Sequence, residues 1–110
     1  HVSNAMGLLI PIEQAIVAAQ KAGALVLVDG AQSVPHMPVN VKDLGCDFLA
    51  FSGHKMLAPL GIGVLYAKRE LLEEMSPLLL GGDMVEAVGE VDFDLKEPPE
   101  RFEAGTPNVG

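Results

Sequence analysis

The residues with the clearest chemical potential form one short segment, residues 51–55, whose sequence is Phe-Ser-Gly-His-Lys. This segment ends the apolar run 47–51, so its lysine is expected at the end of a buried strand. A desolvated lysine amine that loses its proton can form a Schiff base with a carbonyl carbon. Ser52 and His54 carry a hydroxyl and an imidazole, both of which bind phosphate oxygens. The segment therefore predicts that Lys55 holds a phosphorylated aldehyde.

Two apolar runs are predicted to position these groups. Residues 24–29 and 46–51 have the length and composition of strands buried on both faces, as in a parallel sheet flanked by helices. Asp29 closes the first run and Ser52 follows the second. Ligands of open α/β sheets bind at the carboxyl ends of the strands, so we expect one crevice to gather both residues.

The remaining elements complete an α/β pattern. Helices are predicted over 11–22 and 68–75, a helical turn over 41–44, a third strand over 61–67 and a loop over the proline-containing residues 34–40. We predict that residues 1–110 form a single partial domain with a mostly parallel sheet. The range 78–110 is predicted as a loop-rich and hairpin-rich extension of it.

One cofactor, pyridoxal phosphate (PLP), makes four demands that this set of residues meets. It needs a lysine for the imine, an acid facing the pyridine nitrogen, a donor facing the phenolic oxygen and groups that hold the phosphate. The sequence offers Lys55, then Asp29, then Gln32, then Ser52 with His54. For Asp29 the alternative is a carboxylate that caps the following turn, a common role for aspartate. A buried α/β core without any cofactor is the alternative for the whole set.

Bulk properties exclude some functions and favour a cytoplasmic location. The chain of 110 residues has a formal net charge of −8, which argues against nucleic acid or an anionic membrane as a partner. No apolar run approaches the ~20 residues of a membrane-spanning helix, and no signal peptide is visible. The single cysteine, Cys46, forms no internal disulfide and is predicted to be a buried packing residue. No metal site is predicted.

The motifs resemble a known family. The segment 47–55 followed by residues 61–63 resembles the cofactor-attachment signature of class V PLP-dependent aminotransferases. The segments that resemble cysteine desulfurases of the SufS type are 1–4 (HVSN), 28–32 (VDGAQ), 81–84 (GGDM) and 101–108 (RFEAGTPN). These motifs follow the family's order and cover essentially the whole chain.

The resemblance implies a role for each residue of the predicted site. It implies a fold-type-I large domain in which Lys55 forms the imine and moves the proton at the substrate's α-carbon. Asp29 would pair with the pyridine nitrogen and Gln32 with the phenolic oxygen. Ser52 and His54 would hold the phosphate.

Two further residues and the partners come from the same resemblance. Asn4 matches an asparagine near the substrate and cofactor, and Thr106 matches a residue that reaches the phosphate of the other subunit, which implies a homodimer. The implied reaction converts L-cysteine to L-alanine and leaves the sulfur as an enzyme persulfide. A sulfur-acceptor protein would then receive it for iron–sulfur cluster assembly.

The chain also departs from the family. Ala58 replaces a usual glycine, and this could shift the loop after Lys55 if the position needs positive φ. The family's persulfide-forming cysteine and carboxylate-binding arginine match positions beyond residue 110, and its ring-stacking histidine matches a position before residue 1. We therefore expect the 110-residue chain alone to be inactive toward cysteine. Another class V enzyme, such as an aminotransferase or a selenocysteine lyase, and a folded fragment that binds nothing are the alternatives.

Overall fold

A computed structural model describes residues 1–109, which form two compact units, His1–Ala67 and a second that begins at Lys68. The first unit contains α1 (Glu13–Lys21), β1 (Leu27–Asp29), α2 (Ser33–His36), α3 (Val41–Leu44), β2 (Phe48–Ser52), a 3-10 turn (Gly53–Met56) and β3 (Gly63–Ala67). The second contains α4 (Arg69–Glu74), β4 (Val85–Val88), β5 (Phe93–Leu95) and a 3-10 turn (Glu100–Phe102). The prediction that all residues form one partial domain stays a prediction.

The first unit is built on a three-stranded sheet in the order β1-β2-β3. Strands β1 and β2 are parallel, with Asp29 opposite Ala50, and the chain between them forms α2 and α3. Strand β3 runs antiparallel to β2, with Gly63 opposite Ser52. The predicted α/β fold class is confirmed, and the sheet within the described residues is mixed.

One face of this sheet carries the core. Val28 of β1 and Leu49 of β2 are buried there with Ile16 of α1, Leu44 of α3 and Cys46. Ile16 lies in a helix that begins with Glu13 and ends with Lys21, charges that suit the two ends of the helix dipole. Cys46 is fully buried, which confirms its prediction as a packing residue.

The expectation that residues 24–29 are buried on both faces is wrong. The strand itself is limited to Leu27–Asp29, and its side chains alternate between exposed, buried and exposed. Leu27 is 58% exposed. Leu65 of β3, which lies on the same face of the sheet, is 52% exposed. Helices α1 and α3 contribute their buried side chains to the opposite face, so burial follows the period of two that a pleated strand imposes.

The loop predicted for residues 34–40 begins as a helix instead. Helix α2 is a single turn, and Pro35 lies within it. Residues in a first helical turn have no intrahelical acceptor for their N–H groups, so a proline loses no hydrogen bond there. The remaining helices and strands are found where they were predicted. Helix α3 has the predicted bounds, and β2 begins two residues later and ends one residue later than predicted. The others are shorter by one to three residues at one or both ends.

The second unit contains the hairpin expected within residues 78–110. Strands β4 and β5 are antiparallel, with an irregularity in register between Val85 and Ala87. Met84 is fully buried, and its sulfur accepts a hydrogen bond from the Gly81 N–H at 3.0 Å. Among residues 1–109, none of the helices has both the length and the apolar character that crossing a bilayer requires.

Candidate active site

The parallel pairing of β1 and β2 brings Asp29 and Ser52 to the same edge of the sheet. Asp29 lies opposite Ala50, so the two share a face. Side chains alternate along a strand, and Ser52, two residues after Ala50, therefore projects from that face as well, roughly 7 Å further along. This face is opposite the one that carries Val28, Leu49 and the core. The carboxylate and the hydroxyl thus lie on the open side of the sheet at its carboxyl edge.

Lys55 and His54 follow β2 directly in the Gly53–Met56 turn, and both are exposed. The turn is anchored at Gly53, whose N–H donates to Ile62 O at 2.9 Å and whose carbonyl accepts from Ala58 N–H at 3.1 Å. A Cβ at Gly53 would lie 2.7 Å from Cγ2 of Ile62, so any larger residue here would have to displace Ile62. Close packing at Gly53 therefore holds the turn that carries Lys55 against the end of β2.

The turn after β1 is fixed in a similar way. Gly30 N–H donates to Ala50 O at 2.8 Å, and a Cβ at Gly30 would lie 2.9 Å from Cδ1 of Leu49. Oδ1 of Asp29 accepts a hydrogen bond from Ala31 N–H at 2.8 Å, which is the turn-capping role considered from the sequence. Its other oxygen, Oδ2, accepts no hydrogen bond from the described residues. The carboxylate can therefore cap the turn and face a ligand at once.

Gln32 joins the same edge. It is the residue immediately before α2 and is half-buried. Helix α2 lies against the Gly53–Met56 turn, so the amide of Gln32 and the amine of Lys55 come from neighbouring elements. Asp29, Gln32, Ser52, His54 and Lys55 are thus carried by adjoining strand ends and turns of the first unit.

Asn4 and Thr106 lie elsewhere on the chain. Asn4 is exposed in a loop closed by the bridge between Val2 and Leu9, and the loop begins beside the end of β1, where the amine of His1 donates to Asp29 O at 3.0 Å. Thr106 is an exposed residue of the second unit. The roles given to these two residues stay predictions.

Ala58 does not need the backbone freedom of a glycine. The residues other than glycine with positive φ, among those described, are Leu57 at 68° and Asp83 at 69°. The left-handed conformation after Lys55 is therefore adopted by Leu57. The methyl group of Ala58 instead lies beside Gly53, 3.1 Å from where a Cβ would stand.

The packing roles of Gly30 and Gly53 were not predicted from the sequence. The available signal was positional: each is the first residue after a polar side chain that ends an apolar run. A glycine at that point allows backbone and side chains of a neighbouring element to approach closely. Within the described residues, no group of three or more His, Cys, Asp or Glu side chains is placed to hold a metal ion.

The residues present fit PLP. An amine, a carboxylate with one open oxygen, an amide, a hydroxyl and an imidazole converge on one sheet edge, and this is the set of groups that the cofactor's imine, ring nitrogen, phenolic oxygen and phosphate require. The turns that carry these groups are closely packed at Gly30 and Gly53, where a Cβ would lie within 3 Å of a neighbouring side chain.

Comparisons with known proteins identify the family. The family model described as aminotransferase class-V matches residues 1–110. A probable cysteine desulfurase of Halalkalibacterium halodurans is 54% identical over 99% of this chain and 27% of its own length. The structure of the cysteine desulfurase CsdA of Escherichia coli superposes with a TM-score of 0.92 at 52% identity, over 98% of this chain and 27% of CsdA.

A third comparison bears on the cofactor. A lysine-to-alanine variant of C-DES, with glycine covalently linked to its PLP cofactor, superposes with a TM-score of 0.78 at 29% identity, over 89% of this chain and 27% of C-DES. These matches show that the chain has the fold of the large domain of fold-type-I PLP-dependent enzymes. The chain belongs to the class V aminotransferase family, and it spans about a quarter of the length of the relatives it matches.

Proposed function

We propose that this chain supplies the PLP-binding core of a cysteine desulfurase of the SufS type. The observation that carries the proposal is the placement of Asp29, Ser52 and Lys55 at the adjoining carboxyl ends of the parallel strands β1 and β2. The proposed reaction converts L-cysteine to L-alanine and passes the sulfur on as an enzyme persulfide.

Each side chain of the sheet edge has a distinct task in this proposal. PLP, when bound, supplies an electron sink for charge that develops at the substrate's α-carbon. Lys55 holds the cofactor covalently through its amine and later moves the α-proton. Oδ2 of Asp29 accepts a hydrogen bond from the pyridine N–H, while Oδ1 stays bonded to Ala31 N–H. Gln32 donates to the phenolic oxygen.

The remaining residues bind the phosphate and the substrate in this proposal. Ser52 and His54 flank Gly53 at the start of the turn, and both donate to the phosphate in the proposal. Asn4 lies in the loop that begins beside Asp29 O and contacts the substrate and cofactor. Because none of these residues is a thiol, the persulfide forms on a cysteine outside the set.

The proposal extends to partners and location. Thr106 reaches the phosphate bound by the other subunit of a homodimer, and a sulfur-acceptor protein takes the persulfide sulfur for iron–sulfur cluster assembly. The names of the relatives at 50–54% identity support the desulfurase activity. A cytoplasmic location fits a sequence with one cysteine, because oxidising compartments favour disulfides.

Covalent trapping tests the cofactor site. The chain is incubated with PLP, reduced with borohydride and digested, and the peptides are weighed. We expect one cofactor on the peptide that contains Lys55 and none after Lys55→Ala. Lys21→Ala, which removes an exposed lysine at the end of α1, is the matched control and should leave trapping unchanged. Trapping that survives Lys55→Ala would contradict the assignment.

A second arm tests the substrate. L-cysteine that reacts at the site releases the amine of Lys55, so it should protect that peptide from trapping. We expect stronger protection by L-cysteine than by L-leucine at the same concentration. Equal protection by the two amino acids would argue against cysteine as the substrate.

A further inference from the structure

The other end of the same strand pair contains a buried acid that the site does not use. Asp47 precedes β2 and is 5% exposed. Its Oδ2 accepts a hydrogen bond from Val26 N–H at 2.8 Å, and both of its oxygens lie within 3.3 Å of Nε2 of Gln20 in α1. A buried carboxylate is costly unless hydrogen bonds compensate it, so its presence at this position calls for a specific role.

The contacts of Asp47 converge on the residue that precedes β1. Val26 donates its N–H to the carboxylate, and Val26 O accepts from the N–H groups of Asp47 and Phe48, each at 3.0 Å. Backbone and side chain of Asp47 thus hold Val26 from both sides. The ladder that follows has three residue pairs, from Leu27 opposite Phe48 to Asp29 opposite Ala50.

The sequence of β1 does not define this register by itself. Register is normally set by alternation of apolar and polar residues, because a slip of one residue turns every side chain to the other face. Residues 24–28 are apolar at every position, so a shifted strand would still present apolar side chains to the core. A slip of one residue would turn Asp29 toward the core face. A slip of two would move it along the strand by roughly 7 Å.

We propose that Asp47 is a positioning residue for the cofactor site, because its hydrogen bond to Val26 N–H fixes the β1–β2 register that places Asp29 beside Ser52 and Lys55. This inference rests on the proposed PLP site. Asp47 touches neither cofactor nor substrate and acts through Asp29. Gln20 ties α1 to the same point, since its Nε2 also donates to Gly45 O at 3.0 Å.

The test measures PLP affinity in three variants. Asp47→Leu removes the acceptor and should weaken binding about tenfold, the effect expected for one lost hydrogen bond to a charged group. Asp47→Asn keeps an oxygen for Val26 N–H and should stay within about threefold of the unsubstituted chain. Asp43→Asn, which changes an exposed acid of α3, is the matched control and should have no effect. If Asp47→Leu does not fold, Asp47→Ser replaces it, because its oxygen is one bond too short to reach Val26.

A double-mutant cycle separates positioning from general stabilisation. If Asp47 acts through Asp29, Asp47→Leu should weaken binding less than about twofold once Asp29→Asn is present. The same loss in both backgrounds, or full affinity in Asp47→Leu, would overturn the inference. If the unsubstituted chain binds no PLP, the proposed function fails. The rate of amide exchange at Gly30 N–H then tests whether Asp47 fixes the β1–β2 register. Faster exchange of Gly30 N–H in Asp47→Leu supports the register role, and unchanged exchange contradicts it.

Discussion

The two units hold their predicted cofactor residues by different means. In the first, Asp29 and Ser52 are the last residues of strands whose buried side chains, Val28 and Leu49, pack against α1 and α3. In the second, Thr106 follows Gly105, whose N–H donates to Gly82 O at 2.8 Å. The buried side chains of residues 68–109 are Met84 and Pro98. Side-chain packing therefore positions the first set, and close backbone approach positions the second.

This difference predicts how each unit responds to substitution. A packed core couples a cavity anywhere within it to the strands it supports, because interiors have little free volume. A segment held by a few backbone hydrogen bonds responds only where the backbone itself is displaced. The substitutions below test that contrast, beginning with the largest expected effect.

Ile16→Ala should have the largest effect. Ile16 is 2% exposed and packs from α1 against Val28 and Leu49, so truncation leaves a cavity beneath both site strands. We expect a loss of about 2–5 kcal/mol in the free energy of unfolding, measured by urea denaturation. Val17→Ala on the same helix is the control, because Val17 is 50% exposed. Equal losses in the two variants would show that core packing does not support the first unit.

Gly53→Ala tests the packing of the turn that carries Lys55. The new methyl group would lie 2.7 Å from Cγ2 of Ile62, so Ile62 would have to move. We expect this overpacking to lower the free energy of unfolding by about 1–3 kcal/mol. We also expect less PLP trapped on Lys55, measured by peptide mass after borohydride reduction. Ile62→Ala removes the opposing methyl group, and since Ile62 is 44% exposed, that change alone should cost little. Trapping should therefore recover in part in the double variant, because Cβ of Ala58 at 3.1 Å and Ile62 O at 3.2 Å still lie close to the new methyl group. No recovery would show that Cγ2 of Ile62 is not the cause of the loss.

The same contrast separates what sequence could predict from what it could not. Asp29, Ser52 and Lys55 were predicted at one edge because apolar runs and their ends are local features. Exposure of Leu27 was not predicted, because an apolar run does not show which face a helix covers. Pro35 was assigned to a loop, but it lies in a one-turn helix. Proline is tolerated both in a loop and in a first helical turn, so its presence does not distinguish the two structures.

The roles that could not be predicted from the sequence depend on contacts between residues far apart in the chain. Asp47 looks like the polar start of a strand, and only the fold brings Gln20 and Val26 to its carboxylate. Gly53 belongs to a motif that the sequence shows, but its close contact with Ile62, the residue before β3, could not be predicted. Long-range contacts of this kind depend on topology, which propensity and periodicity do not encode.

Gly81→Ala tests backbone approach in the second unit. A Cβ there would lie 3.1 Å from Gly105 N and 3.2 Å from Cβ of Ala104, so we expect the two segments to separate by a few tenths of an ångström. The expected cost is about 1 kcal/mol, with faster amide exchange at Gly105 N–H. Gly82→Ala is the matched control, because its Cβ would meet nothing within 4 Å. Similar exchange at Gly105 in both variants would show that this approach does not position Thr106.

Arg69→Ala should have the smallest effect on the free energy of unfolding. It tests whether ion pairs are the main source of stability in the second unit. Nε of Arg69 lies 2.8 Å from Oε1 of Glu73, and Nη2 lies 3.5 Å from Oε2 of Glu97. The arginine side chain is 63% exposed, so water and salt screen both pairs. We expect a change of about 0.5 kcal/mol or less, measured by urea denaturation at low and at high salt. A larger loss that vanished at high salt would mean that ion pairs, and not backbone contacts such as Gly105 N–H to Gly82 O, hold this unit together.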